Sequence, residues 1–128
     1  NNRSAMLRLP QSRFAIENRA ADMCMNPYLS LGMSAAAMTE GIVNNYDAGN
    51  PLNQDLYSMS EDEIERSGAQ RLPRNLLEAL EILRTDDLAR TVLGDDIMKS
   101  YLTYKSDEWE RYHQAITDWE VNEYLRLY

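Results

Sequence analysis

At Asn26-Pro27 the apolar pattern of this chain changes period, and that change limits the architectures open to it. Upstream, residues 13–19 (Arg-Phe-Ala-Ile-Glu-Asn-Arg) alternate with a period of two, which places Phe14 and Ile16 on one face of a strand and Arg13, Glu17 and Arg19 on the other. Residues 4–9 alternate more loosely and run into Pro10, which has no N–H to give a central strand. Downstream the period is helical. Asn26 reads as an N-cap with Pro27 at the first helical position, where an N–H is not needed. Leu29, Met33, Ala36, Ala37 and Ile42 then hold helical spacing to about Gly41–Asn44 and predict the most deeply buried helix of the chain.

The remaining punctuation is equally local. Asn45, Gly49, Asn50, Pro51 and Asn53 mark residues 44–59 as loop. Ser60-x-x-Glu63 forms a capping box for a short helix that Gly68 stops. Pro73 is expected to open a helix with Leu76, Leu77, Leu80 and Leu83 as its apolar stripe. Thr85 or Asp86 starts a brief helix closed by Gly94. A last helix carries Met98, Leu102, Trp109, Tyr112 and Ile116 on one face, with Lys105 in the same row, and Thr117-x-x-Glu120 opens a final turn running to Tyr128. Two short strands do not make an independently stable sheet. The expected class is therefore α+β: one or two short N-terminal strands belonging to a larger sheet, followed by a mostly α-helical body, the whole being a piece of a larger protein.

Charge is distributed unevenly. Residues 1–20 hold four arginines (Arg3, Arg8, Arg13, Arg19) against Glu17 alone, while the rest of the chain carries the acidic excess behind the net charge of −8. An acidic body repels phosphodiester backbones, so nucleic acid is not an expected partner. Arginine's planar fork suits phosphate and carboxylate, which makes the N-terminal segment a candidate for small anions, with a solvated edge as the equal alternative. Glu17 beside Arg19 on one strand face is likewise either a site or a structural ion pair.

At 128 residues the chain can bury a core within one domain. Its longest uncharged stretch, residues 23–39, contains Asn26, Pro27 and Gly32 and is too short and polar to span a bilayer, so no membrane association is expected. No secretory pattern opens the chain, and the single cysteine, Cys24, excludes an internal disulfide and a Cys-cluster zinc site. A reduced, cytoplasmic setting is the resulting expectation.

Several motifs, in order, carry a family resemblance. Asn2-Arg3-Ser4-Ala5-Met6-Leu7-Arg8-Leu9-Pro10 is similar to the N-R-S-x-x-x-R-[IL]-P motif of the glutamine synthetase family, Glu17-Asn18-Arg19 to its E-x-R strand, and Asn26-Pro27-Tyr28-Leu29 to its N-P-Y-L helix start. Glu40-Gly41-Ile42, Asp55-Leu56-Tyr57, Leu72-Pro73 with Leu76-x-Glu78-Ala79-Leu80, and Trp119-Glu120 follow in family order. The resemblance spans residues 1–128 and implies the C-terminal part of a glutamine synthetase-like catalytic domain, its N-terminal domain lying outside this chain.

The resemblance implies ATP-dependent ligation: the γ-carboxylate of glutamate is phosphorylated, and ammonia displaces phosphate from the γ-glutamyl phosphate. Phosphoryl transfer calls for positive charge aimed at the moving group and for divalent metal bridging its oxygens. Residue by residue, Arg3 matches the arginine at the substrate and γ-phosphoryl region, Arg8 the one holding ATP phosphates, and Arg19 the one binding glutamate and supporting the transferred phosphoryl group. Glu17 matches a carboxylate ligand of Mg²⁺ or Mn²⁺, ions that favour oxygen donors. Arg3 and Arg19 are thus the expected catalytic and glutamate-binding residues. Tyr57 matches a tyrosine that some bacterial members modify with AMP, although Ser58-Met59-Ser60 lacks the usual prolines. The family's other metal ligands lie upstream of Asn1 and neighbouring subunits complete each site, so the chain alone is expected to be inactive and the full protein to form a homo-oligomeric ring.

Two departures from the family pattern stand out. Ala15 stands where a basic residue is common, with Arg13 two positions further back, which implies rearranged phosphate contacts, and Asn18 stands where ammonia-using bacterial enzymes often have an apolar residue. The Glu17-Asn18-Arg19 form, with Glu61–Glu65 and the Leu72–Leu80 segment, leans toward divergent members, some of which use a small amine in place of ammonia, a γ-glutamyl-amine synthetase being the alternative. A non-catalytic helical module of the same fold is a further reading, which the joint presence of Arg3, Arg8, Glu17 and Arg19 argues against. Elsewhere the bland readings lead. His113 is expected as a surface or half-buried histidine and Cys24 as a small buried apolar residue. The methionines are expected to fill core, with Met23 and Met25 also placed to border a substrate pocket. Glu61, Asp62, Glu63 and Glu65 form a solvated helix face. Trp119, Tyr124, Leu125, Leu127 and Tyr128 make an apolar C-terminus suited to oligomer contacts.

Overall fold

A computed structural model describes residues 3–125 and divides the chain into two compact units, the first ending at Leu72 and the second beginning at Pro73. The first unit opens with β1 (Leu7–Arg8) and β2 (Glu17–Asn18), an antiparallel pair with Leu7 opposite Asn18 and Arg8 opposite Glu17. The Arg19 N–H extends the ladder to the Met6 carbonyl at 2.9 Å. The strands are shorter than the alternating stretches predict, because Pro10 ends donation on one side and each strand has one neighbour among the described residues. Glu17 is half-buried, whereas Arg13 and Arg19 of the expected polar face and Phe14 and Ile16 of the apolar one are all exposed.

After the pair comes α1 (Pro27–Val43), whose cap is the one predicted: Asn26 Oδ1 accepts from the N–H groups of Tyr28 at 3.0 Å and Leu29 at 3.3 Å. Its burial differs from the prediction. No residue of α1 is buried, and Ala37 and Ile42 face solvent, because among the described residues nothing is laid over that side. Leu29, Met33 and Ala36 form the half-buried stripe. The expected loop contains a 3₁₀ turn at Leu56–Ser58. Next, α2 (Glu61–Arg66) starts at the Ser60–Glu63 capping box and ends before Gly68, whose φ of 73° supplies the left-handed exit. Its acidic residues are exposed, as the charge run predicts.

The second unit is helical. In α3 (Leu76–Thr85) the cap is Asn75, whose side chain accepts the Glu78 N–H at 2.9 Å; the helix therefore begins after, not at, Pro73. Ala79 replaces Leu77 in the protected stripe, Leu77 being exposed. Asp86 ends α3 and caps α4 (Asp87–Gln114), accepting the Ala89 N–H at 2.7 Å. Within α4, Gly94 breaks the helix at φ 74° and ψ 161°, as its position predicts. The break has a packing purpose. In an unbroken helix Ala89 and Met98 would be separated by about 900° of rotation, which is half a turn out of phase. Yet both are buried, at 1% and 3% exposure, with Leu80 of α3 at 2%. Gly94 re-phases the helix so that both halves turn an apolar face inward.

Met98, Leu102, Lys105 and Trp109 share the protected side of α4, while Tyr112 is exposed and Ile116 lies beyond the helix end. His113 is on the surface, its ring 4.0 Å from that of Trp109. The capping box Thr117–Glu120 opens α5 (Asp118–Tyr124), which exposes Trp119, Tyr124 and Leu125; Leu127 and Tyr128 lie outside the described residues. Cys24 is exposed rather than buried, and of the methionines Met98 alone joins the buried core of the described residues. Two short strands followed by helices is the α+β arrangement expected. Among the described residues no helix is long and apolar enough to cross a membrane.

Candidate active-site hairpin

The register of β1 and β2 puts Arg8 and Glu17 directly across from each other, so their side chains share a face. Arg8 Nη1 donates to Glu17 Oε2 at 2.8 Å. The connection between the strands turns sharply at residues 11–14, which brings Arg13 back to donate from Nη2 to Glu17 Oε1 at 2.9 Å. Each carboxylate oxygen thus has its own guanidinium, with the Glu17 side chain only 26% exposed. The hydrogen bond from Arg8 is the main influence holding the Glu17 carboxyl below its ordinary range; Arg13 adds to it and partial desolvation opposes it. Glu17 is a carboxylate under all neutral conditions.

One rung along, the Arg19–Met6 hydrogen bond continues the ladder. The strand itself ends at Asn18, and among the described residues no side-chain contact joins Arg19 to the Arg8–Glu17–Arg13 cluster. Arg3 is exposed, and among the described residues neither Arg3 nor Arg19 has a side-chain hydrogen bond or ion pair. The neighbour of Arg3 is tied down: Ser4 Oγ accepts the Leu56 N–H at 3.0 Å, across 52 positions of sequence. That bond seats the 3₁₀ turn carrying Tyr57 against the N-terminal motif. The turn itself is fixed by Asp55, whose carboxylate accepts the Tyr57 N–H at 3.1 Å and whose carbonyl accepts the Ser58 hydroxyl at 2.8 Å. Tyr57 is 84% exposed, leaving its hydroxyl accessible in this chain.

The structure therefore brings Arg8 and Arg13 into contact with Glu17, ties the Arg19 backbone to Met6, and links the Arg3 segment to that of Tyr57. Sequence reasoning did not find the Arg8–Glu17 contact, the Arg13–Glu17 contact or the Ser4 latch. The i,i+4 spacing of Arg13 and Glu17 was a signal in principle, but a strand reading sets those side chains too far apart to touch, and only the turn closes the gap. Ser4 and Leu56 offer no sequence signal of proximity.

Chemically, the hairpin presents an ionised carboxylate among guanidiniums. Each Glu17 oxygen retains lone-pair capacity beside its arginine bond. The oxygen-only chemistry of Glu17 fits one ligand position on Mg²⁺ or Mn²⁺. Among the described residues no group of three or more His, Cys, Asp or Glu could hold a metal ion, so Glu17 serves at most as one ligand in a set completed from elsewhere.

Comparisons with known proteins agree on a family. Residues 1–124 match the family model described as the catalytic domain of glutamine synthetase. The chain is 39% identical over its whole length to the glutamate–methylamine ligase of Methyloversatilis universalis, covering 28% of that protein. It is 38% identical to the glutamine synthetase of Methanocaldococcus jannaschii over 97% of the chain and 28% of that protein, and 35% identical to that of Staphylococcus aureus over 99% of the chain and 29% of that protein. A solved structure of GmaS in its apo form, without ligand, superposes with a TM-score of 0.79 at 32% identity, over 98% of this chain and 28% of that one. The chain thus spans a little over a quarter of the length of the relatives it matches.

Proposed function

The chain belongs to the glutamine synthetase family, and from that premise we propose that it is the C-terminal segment of the catalytic domain of an ATP-dependent ligase that forms γ-glutamyl amides. A γ-carboxylate oxygen of glutamate attacks the γ-phosphorus of ATP and ADP departs. Ammonia or a small amine then attacks the acyl carbon of the γ-glutamyl phosphate, inorganic phosphate leaves, and the nitrogen gives up a proton. The observation that carries this reading is the Glu17 carboxylate clasped by Arg8 and Arg13, with the Arg19 N–H bonded to the Met6 carbonyl two residues along.

In this reading Glu17 is one ligand of Mg²⁺ or Mn²⁺, whose charge when bound offsets that of the phosphates. Arg8 holds the ATP phosphates. Arg19 binds the glutamate carboxylate and stabilises the transferred phosphoryl group, and Arg3 acts at the substrate and γ-phosphoryl region. Fixed guanidiniums at that place supply stabilisation where charge redistributes, without reorganisation during the step. The complete enzyme is a cytoplasmic homo-oligomeric ring in which other segments and neighbouring subunits furnish the rest of the metal cage, and Tyr57 is a candidate regulatory position on its surface.

Two acceptors fit the scheme. Ammonia is the acceptor in a glutamine-forming reading, which the glutamine synthetase relatives support, and methylamine is favoured by the equally similar glutamate–methylamine ligase together with Asn18 between Glu17 and Arg19. The test is ADP release by the full-length protein with glutamate and either ammonia or methylamine. Glu17→Ala is expected to abolish Mg²⁺-dependent turnover with both acceptors while assembly is retained. Undiminished turnover would remove Glu17 from the site, and a large preference in kcat/KM identifies the acceptor.

A further inference from the structure

The 3₁₀ turn at Leu56–Ser58 has a complete hydrogen-bond account, and one member of it comes from a distant part of the chain. The first N–H groups of any helical turn lack an internal partner. Here Tyr57 N–H goes to the Asp55 carboxylate, Ser58 N–H to the Asp55 carbonyl at 3.1 Å, and Met59 N–H to the Leu56 carbonyl at 3.4 Å. The Leu56 N–H has no local acceptor; it is taken by Ser4 Oγ at 3.0 Å, with both residues half-buried.

Ser4 immediately follows Arg3, and the chain is next fixed at Met6 to Arg8, where the ladder to β2 begins. Between Arg3 and that ladder, the Ser4–Leu56 bond is a long-range tether on the backbone from which the Arg3 guanidinium extends. We infer that Ser4 is a positioning residue: by accepting the Leu56 N–H it holds Arg3 in register with the hairpin and couples it to the turn bearing Tyr57. This inference rests on the proposed role of Arg3 at the substrate. The coupling runs both ways, so a change that displaces the Tyr57 turn also displaces Arg3, with no group at Tyr57 needing to reach the substrate.

The test uses the full-length enzyme and perturbs the bond from both ends. Ser4→Ala removes the acceptor. Leu56→Pro removes the donor at a position that accepts proline, since Asp55 before it is already extended at φ −76° and ψ 108° and the first residue of the turn needs no internal N–H. Because misplacement of a substrate-positioning group by about 1 Å costs up to roughly a hundredfold in rate, each variant is expected to lower kcat/KM for glutamate by roughly tenfold. The KM for ATP is expected to stay within about twofold, Arg8 being held separately by Glu17. The double variant is expected to lose no more than the worse single one, because both delete the same bond. Amide exchange at Leu56 is expected to quicken in Ser4→Ala and to be restored to the parent rate in Ser4→Thr, which keeps the hydroxyl.

An unchanged glutamate KM and kcat in Ser4→Ala, equal loss for ATP and glutamate, or fully multiplicative losses in the double variant would each overturn the inference. Arg3→Ala, made in parallel, separates this from the proposed function. If Arg3→Ala abolishes turnover while Ser4→Ala leaves it intact, the tether is wrong and the ligase reading stands; if Arg3→Ala is itself active, the role of Arg3 falls first.

Discussion

Replacing Gly94 with alanine tests why α4 is broken. At φ 74° and ψ 161° the backbone lies in a region open essentially to glycine, and a Cβ built there meets no atom within 4 Å. A steric clash with neighbours is therefore absent, and the cost is confined to the residue's own backbone, about 2 kcal/mol. Alanine also favours the competing continuous helix over glycine by about 1 kcal/mol. Together these tilt the local equilibrium toward a straightened α4 by roughly 2–3 kcal/mol, which at about 1.4 kcal/mol per decade is roughly a thirty- to hundredfold rise in opening. Straightening would carry Ala89 half a turn away from the face on which Met98 is buried, so the affected amides are those of residues 88–93. The assay is native-state hydrogen exchange of the full-length protein, read residue by residue along α4. Gly94→Asn provides the control: asparagine tolerates the left-handed region near ψ 45° but not ψ 161°, so it is expected to behave like alanine rather than to rescue. Exchange that is unchanged or slower in Gly94→Ala would refute the claim that the break sets the phase of the core.

Thr117→Ala removes the hydroxyl that accepts the Glu120 N–H at 3.2 Å and donates to its carboxylate at 2.9 Å; α5 is expected to lose about 1 kcal/mol, seen as roughly fivefold faster exchange of its first-turn amides. The Glu17 carboxyl is held below its ordinary value of 4.5 by Arg8 above all, so the stability it confers is present above that pH and fades as pH falls through the lowered folded value; the Arg19 amide, bonded to Met6, is expected to lose protection in acid, and Glu17→Gln to flatten that dependence. Lys105 has the opposite sign: its bond to Glu108 raises its pKa above 10.5, so its contribution is full below that pH and is lost as pH rises through the raised value, and Lys105→Met is expected to remove this alkaline loss of α4 protection. Finally, the 128-residue chain by itself is expected to show no γ-glutamyl transfer with Mg²⁺ or Mn²⁺, because the ligand proposed at Glu17 would be a single one for ions that need several; turnover by the isolated chain would show that the rest of the cage is not required.

Much of the candidate site was legible because its chemistry is written in short, ordered motifs. The presence of four arginines and a single glutamate, and the two-residue spacing of Glu17 and Arg19, are visible in residues 1–20 without coordinates. What escaped was contact. Arg13 lies four positions from Glu17, a separation that an extended strand holds open and that the turn at residues 11–14 closes. The burial of α1 was misjudged for a related reason: periodicity identifies which face is apolar, but whether that face is covered depends on what stands opposite it, and in this chain Ala37 and Ile42 meet solvent.

By itself the sequence determined where helices begin and end. Asn26, Ser60, Asp86 and Thr117 cap, and Gly68 and Gly94 terminate or break, because each of these acts through its own φ/ψ preference or a hydrogen bond to an amide two or three residues away. Tertiary structure alone decided that Arg8 meets Glu17, that Ser4 holds Leu56, and that Leu80, Ala89 and Met98 form the buried core. Those outcomes join residues that are remote in sequence, and the energy of such a contact exists only once the chain has brought its partners together, so no local preference of either residue encodes it.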